Sequence, residues 1–131
     1  GVSFVRLMVA AVVKGGVHLF SALRYSIQGI GACLKDEIAF RQECLLAVPH
    51  FIAVICLPIE LWMRFYLGAL WFVLIAVELL NTSIEAVSNL ASPEWSALAK
   101  KAKDCGSAAV FCIVSLFAIS WIVVLIRIFS K

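Results

Sequence analysis

From Cys105 to Ile126 the chain runs 22 residues without a charge. At about 1.5 Å per residue, a helix of that length reaches about 33 Å. That is the thickness of a bilayer's hydrocarbon core, so the run predicts a membrane-spanning helix. Cys44–Met63 is a second apolar stretch, and a third extends from about Phe65 to about Leu90. The composition agrees: 64% of the 131 residues are hydrophobic and only 15% are charged. A soluble domain of this size could not hide that much apolar surface. The expected fold is all-α: one polytopic membrane domain over residues 1–131, with spans at 44–63, 65–90 and 105–127.

Ahead of the spans, Phe20, Leu23, Ile27, Ile30 and Leu34 recur at intervals of three and four, while Ser21, Arg24, Gln28 and Lys35 gather elsewhere. That pattern predicts an amphipathic helix over about 17–35, lying in the membrane interface. Arg6 with Leu7–Val13 faintly resembles a secretory signal. Lys14 cuts the run short and no cleavage pattern follows, so the signal reading is rejected and 1–16 stay unassigned. Asp36 to Glu43 form a polar cluster at the mouth of the first span, with Glu37 and Arg41 at helical i, i+4 spacing. Pro49 and Pro58 are expected to kink the span, and His50 to be a hydrogen-bonded packing residue. Glu60 with Arg64, another i, i+4 pair, marks the far interface beside Trp62, Phe65 and Tyr66. The short connection there makes the first two spans an antiparallel hairpin. Residues 91–104 read as a polar link in which Ser92-Pro93-Glu94 starts a short helix.

The third run is broken by polar residues. Glu78, Asn81 and Glu85 stand at i, i+3 and i+7, on one helical face that Asn89 continues. A charge at membrane depth costs about 3 kcal/mol on insertion scales, so such residues usually mark a working site. Carboxylate oxygens are also the ligands a hard cation such as Mg2+ takes. The structural alternative is interhelical hydrogen bonding. Two acids with an amide between them favour function.

Basic residues set the orientation. Arg6, Lys14, Arg24, Lys35 and Arg41 precede the first span, and Lys100, Lys101 and Lys103 occupy the 91–104 link. Arg64, Arg127 and Lys131 lie on the other side. The N-terminus and the 91–104 loop are therefore expected in the cytoplasm. Basic residues are dispersed, which argues against nucleic acid as a partner. The five cysteines lack metal-ligand spacing and fit a bacterial inner membrane with reduced ends. Gly29-Ile30-Gly31 lacks the third glycine of a dinucleotide fingerprint, and no Walker A or protein-kinase signature occurs.

Three segments, Ala39-Phe40-Arg41-Gln42-Glu43, Glu78-Leu-Leu-Asn-Thr-Ser-Ile-Glu-Ala-Val87 and Ala102-Lys-Asp-Cys-Gly-Ser-Ala-Ala-Val110, resemble the prokaryotic integral-membrane diacylglycerol kinase family. The likeness covers roughly residues 20–130. It implies a homotrimeric helical bundle of three-span subunits with an amphipathic surface helix. It implies phosphorylation of diacylglycerol to phosphatidic acid with ATP and Mg2+. Carried over by motif, Glu78 corresponds to the catalytic base, and Glu37 and Glu85 to the metal-binding carboxylates. Asn81, Glu43 and Arg41 belong to the same nucleotide and substrate site, and Lys103 with Asp104 match the nucleotide-contacting pair. Where family members often place Glu-Tyr-His, this chain has Glu94-Trp95-Ser96, which removes a histidine from the nucleotide site. Two alternatives remain at this stage. One is the same chemistry on undecaprenol, and the other is a proton-relay or transport subunit using Glu78 and Glu85.

Overall fold

The computed structural model describes residues 2–130, and Lys131, counted above with the outer charges, lies outside them. Four α-helices follow in order: α1 (Val2–Asp36), α2 (Ile38–Cys56), α3 (Leu61–Ala91) and α4 (Ala97–Phe129). α1 is one unit, and α2, α3 and α4 together form the other. All four are long and apolar enough to cross a membrane. The protein is thus all-helical and multi-pass in character.

α1 continues the expected 17–35 helix back to Val2. The 1–16 segment contains no proline, and helix persists through Gly15 and Gly16, although each glycine costs about 1 kcal/mol relative to alanine.

The first span differs from expectation at both ends. α2 begins at Ile38, with Glu37 as its N-cap, and stops at Cys56. Pro58 ends the helix instead of kinking it, because a residue before proline is driven out of the helical region. Leu57 accordingly adopts φ −70°, ψ 147°. Pro49 stays inside α2. The hairpin turn is therefore 57–60, and α3 starts at Leu61 instead of Phe65. Arg64 seals that turn: its Nη1 donates to the carbonyls of Val54 and Ile55, and its Nη2 to Leu57 at 2.8 Å. Glu60, expected beside Arg64, accepts from Arg127 of α4 and from Trp62 Nε1.

The 91–104 link is also shorter than expected. Only 92–96 is non-helical, and the lysine-rich segment forms the opening turns of α4. The helix start falls at Ser96, whose Oγ accepts from the Ala99 N–H at 3.4 Å, and not at Ser92-Pro93-Glu94.

α3 packs along α4 and, over a shorter length, against α2. Val54, Met63, Leu67 and Val124 form one core cluster near the 57–60 turn, and Leu70, Leu74 and Ile113 form another. Between them His50 ties the three helices. Its Nδ1 accepts from Trp121 Nε1 at 3.2 Å, which leaves Nε2 protonated to donate to the Leu67 carbonyl at 3.1 Å. The expectation of a packing histidine holds. Tyr66 Oη adds a second α3–α4 bridge. It donates to Ser120 Oγ at 2.9 Å, since Ser120 already donates to Leu116.

The expected outcome for His50→Leu is destabilisation by about 2–3 kcal/mol, because Trp121 keeps a buried N–H with no acceptor. Adding Trp121→Phe should recover part of that loss. Thermal unfolding in detergent measures both, and an unchanged midpoint in His50→Leu would remove the histidine from the scaffold.

Candidate active site

α3, about 46 Å long at about 1.5 Å per residue, outruns a hydrocarbon core of about 30 Å. Counted from Leu61, that core is crossed near residue 81. Glu78 then falls about one turn inside the boundary and Glu85 about one turn outside it. The 3.6-residue period carries Asn81 and Asn89 on the same side. Ser88, between them, is buried at 8% exposure, as is Glu78 at 7%.

Two other elements bring their polar residues to this end. Glu37 caps α2, and Glu43 lies on its second turn. Glu78 feels the charges of Glu37 and Glu85, and Glu43 in turn feels that of Glu78. The structure thus collects three further acids around Glu78, from α2 and α3. The Glu43 Oε2 and Asn81 Oδ1 oxygens are enclosed and meet no hydrogen-bond donor among the described residues. An enclosed acceptor without a donor costs about 1–3 kcal/mol, and more when charged. Oxygens left in that state are available to a ligand.

Gly106 of α4 makes room for Asn81. A Cβ at Gly106 would run into Asn81 Oδ1, while the rest of its surroundings stay in ordinary contact. Small side chains let neighbouring helices approach closely, and Gly106 is where that approach is needed.

Lys103 and Asp104 are placed together but bonded separately. Lys103 Nζ donates to Asn89 Oδ1, and Lys100 pairs with Asp104, both at 2.5 Å. They line a cleft of about 410 Å³ with Ser92, Glu94 and the exposed Trp95. Arg41 sits exposed on the first turn of α2, its backbone N–H bonded to the Glu37 carbonyl at 3.2 Å.

A second cleft, of about 260 Å³, is bounded by Ala39, Glu43, Leu46, Trp71 and Phe117 and is almost entirely apolar. Trp71 Nε1 is enclosed there without an acceptor, as Glu43 Oε2 lacks a donor. Sequence reasoning missed Trp71, because a tryptophan within a span reads as packing. Lys100 was also missed, although its i, i+4 spacing to Asp104 was visible.

As a donor set, the carboxylates and Asn81 offer hard oxygens only. Among the described residues no three His, Cys, Asp or Glu side chains lie close enough to hold a metal by themselves. Such a set fits Mg2+, which takes one or two carboxylates and completes its shell with water and phosphate oxygens.

Acids at the boundary of an apolar helical bundle, beside a lysine-lined cleft, define the class: a multi-pass membrane protein with a polar site at one membrane face. The family model for prokaryotic diacylglycerol kinase matches residues 24–125. The chain is 35% identical to the diacylglycerol kinase of Haemophilus influenzae, over 82% of this chain and 91% of that one. It is 35% identical to that of Pseudomonas aeruginosa, over 83% and 89%, and 32% identical to that of Escherichia coli K12, over 85% and 91%. The chain belongs to the prokaryotic diacylglycerol kinase family and is a lipid kinase.

Gly106→Ala tests the approach to Asn81. The displaced atom ends a short side chain that can swing, so the helices should stay packed. The amide should turn away, and phosphotransfer should fall at least about tenfold, a loss of about 1.4 kcal/mol in barrier terms. Full activity with an unchanged melting midpoint would show that Asn81 is not held by this contact.

Proposed function

We propose that this chain transfers the γ-phosphoryl group of ATP to the free hydroxyl of diacylglycerol, giving phosphatidic acid and ADP. The reading places the site at the cytoplasmic face of a bacterial inner membrane, in a homotrimer of three-span subunits (α2, α3 and α4) with α1 on the surface. The observation that carries it is the convergence of Glu37, Glu43, Glu78 and Glu85 at one end of the bundle, with acceptor oxygens left unbonded.

Phosphoryl transfer asks mainly for positioning and charge compensation around an in-line displacement. The hydroxyl oxygen forms the new P–O bond as the β–γ bridging oxygen leaves with ADP. Glu78, the most enclosed of the four acids, takes the hydroxyl proton. Glu37 and Glu85, both half-buried, would hold Mg2+. When bound, that ion neutralises phosphate charge. Lys103 and Lys100 supply further positive charge beside the neighbouring cleft. The apolar cleft at Glu43 suits the glycerol and first acyl carbons of a lipid, with Trp71 Nε1 donating to an ester carbonyl. The name shared by the relatives supports diacylglycerol over undecaprenol as acceptor.

Exposed apolar side chains on every helix of the α2–α4 unit, such as Leu45, Phe72 and Phe111, support burial against lipid or further copies. Proton transport by Glu78 and Glu85 has no structural observation in its favour.

Glu78→Gln should lower lipid phosphorylation by at least about a hundredfold, the usual contribution of a positioned base, while the assembly stays intact in mild detergent. Normal turnover would remove Glu78 from the chemistry. Glu85→Gln should instead raise the Mg2+ concentration needed for half-maximal rate, and an unaltered Mg2+ titration would overturn its role. Thin-layer chromatography of labelled products from diacylglycerol and undecaprenol identifies the acceptor, and label in the undecaprenol product alone would overturn diacylglycerol.

A further inference from the structure

α1 is a single helix of 35 residues, about 52 Å at about 1.5 Å per residue. Its charges fall in line. Arg6 and Arg24 are 18 residues apart, about five full turns. Lys14, Ser21, Gln28 and Lys35 follow at intervals of seven along the adjoining line. Arg6 and Lys14, which lie before the family match begins at residue 24, thus prolong a polar stripe that the matched region contains only in part. The opposite face carries Phe4, Met8, Val12, Leu19, Leu23 and Ile30, all exposed.

The same residues argue against α1 crossing the bilayer, despite its length. No stretch of α1 longer than ten residues lacks a Lys, Arg or Asp. A span over 15–34 would put Arg24 at its centre, and one over 4–23 would bury Lys14, against a penalty usually avoided. Lying flat avoids this, with the apolar face in the acyl boundary and the cationic line among headgroups.

We propose that the whole of α1, including residues 2–16, is an interfacial helix that binds anionic phospholipid through Arg6, Lys14 and Arg24. Charge complementarity selects the occupant. Each basic residue near an anionic leaflet strengthens attachment several-fold, and a neutral leaflet offers no such gain. The segment ahead of the family match therefore makes attachment of α1 depend on surface charge.

The test uses the full chain in nanodiscs, with a dansyl amino acid at Met8 on the apolar face or at Ala10 between Arg6 and Lys14. Quenching by brominated acyl chains is read in phosphatidylcholine with and without phosphatidylglycerol. The expected result is strong quenching at Met8, little at Ala10, and a docked fraction that rises with phosphatidylglycerol. The double variant R6Q/K14Q should lower the docked-to-undocked ratio about tenfold in anionic discs, whereas R6K/K14R should preserve it. Equal deep quenching at both positions, as in a spanning helix, would overturn the proposal, as would quenching at neither. Docking by R6Q/K14Q equal to that of the unaltered chain would overturn the anionic-lipid part.

Discussion

A hydrocarbon phase offers no hydrogen bonds, and that constraint sorts every polar group in α2, α3 and α4. Toward the 57–60 turn, polar atoms are matched within the protein. Arg64 meets the carbonyls that α2 leaves at its end, and Tyr66, Ser120 and Leu116 form a chain of bonds. His50 meets a donor from α4 and an acceptor from α3. Toward the opposite end the matching is incomplete: Glu43 and Asn81, and Trp71 at mid-height, each keep an enclosed atom without a partner. A protein stable enough to tolerate those atoms has a rigid half and a receptive half, and the receptive half is where the acids collect.

Helix length decides where that half sits. α3 and α4 have 31 and 33 residues, more than a hydrocarbon core of about 20 helical residues requires. Arg64, Glu60 and Arg127 tie the charged 57–60 turn together; with that turn at one interface, the excess emerges at the other. Glu78 stays where water is scarce, while Glu85, Asn89, Lys100 and Lys103 reach the aqueous layer. The proposed roles, a base for a lipid hydroxyl and groups for a soluble nucleotide, need those two depths.

Much of this was legible in the residues. The uncharged run from Cys105 and the i, i+3, i+7 stripe on α3 each follow from one helical period, and both stand in the structure. The helix ends were less legible, because a proline can kink or terminate. Pro49 and Pro58 look alike in sequence, yet only Pro58 ends its helix, where Arg64 is at hand to take up the freed carbonyls. Glu60 could be assigned to Arg64 from spacing alone, whereas its bond to Arg127 joins residues 67 positions apart. The sequence puts the lysines of 97–104 in a polar link with a short helix from Ser92-Pro93-Glu94, because a serine-proline-acid run resembles a helix start. The Ser96 cap, three residues ahead of the Ala99 N–H, was the better signal. Trp71 and Gly106 acquire meaning only from what faces them across the bundle.

Ser96 also clarifies the departure from the family's Glu-Tyr-His. A histidine at that position would place a ring at the helix start, whereas serine turns its oxygen back onto the backbone of α4. The cleft beside it is then left with Trp95, 80% exposed, and with lysines bonded to Asn89 and Asp104. Asn89 is neutral, so its bond to Lys103 positions the ammonium without cancelling its charge, which leaves that charge available to phosphate. Asp104 does neutralise Lys100, but across a pair exposed to water, where the attraction is weak and easily exchanged for a stronger anion. Serine in place of histidine is thus compatible with the proposed nucleotide site, in which position and charge on α4 would carry the contact.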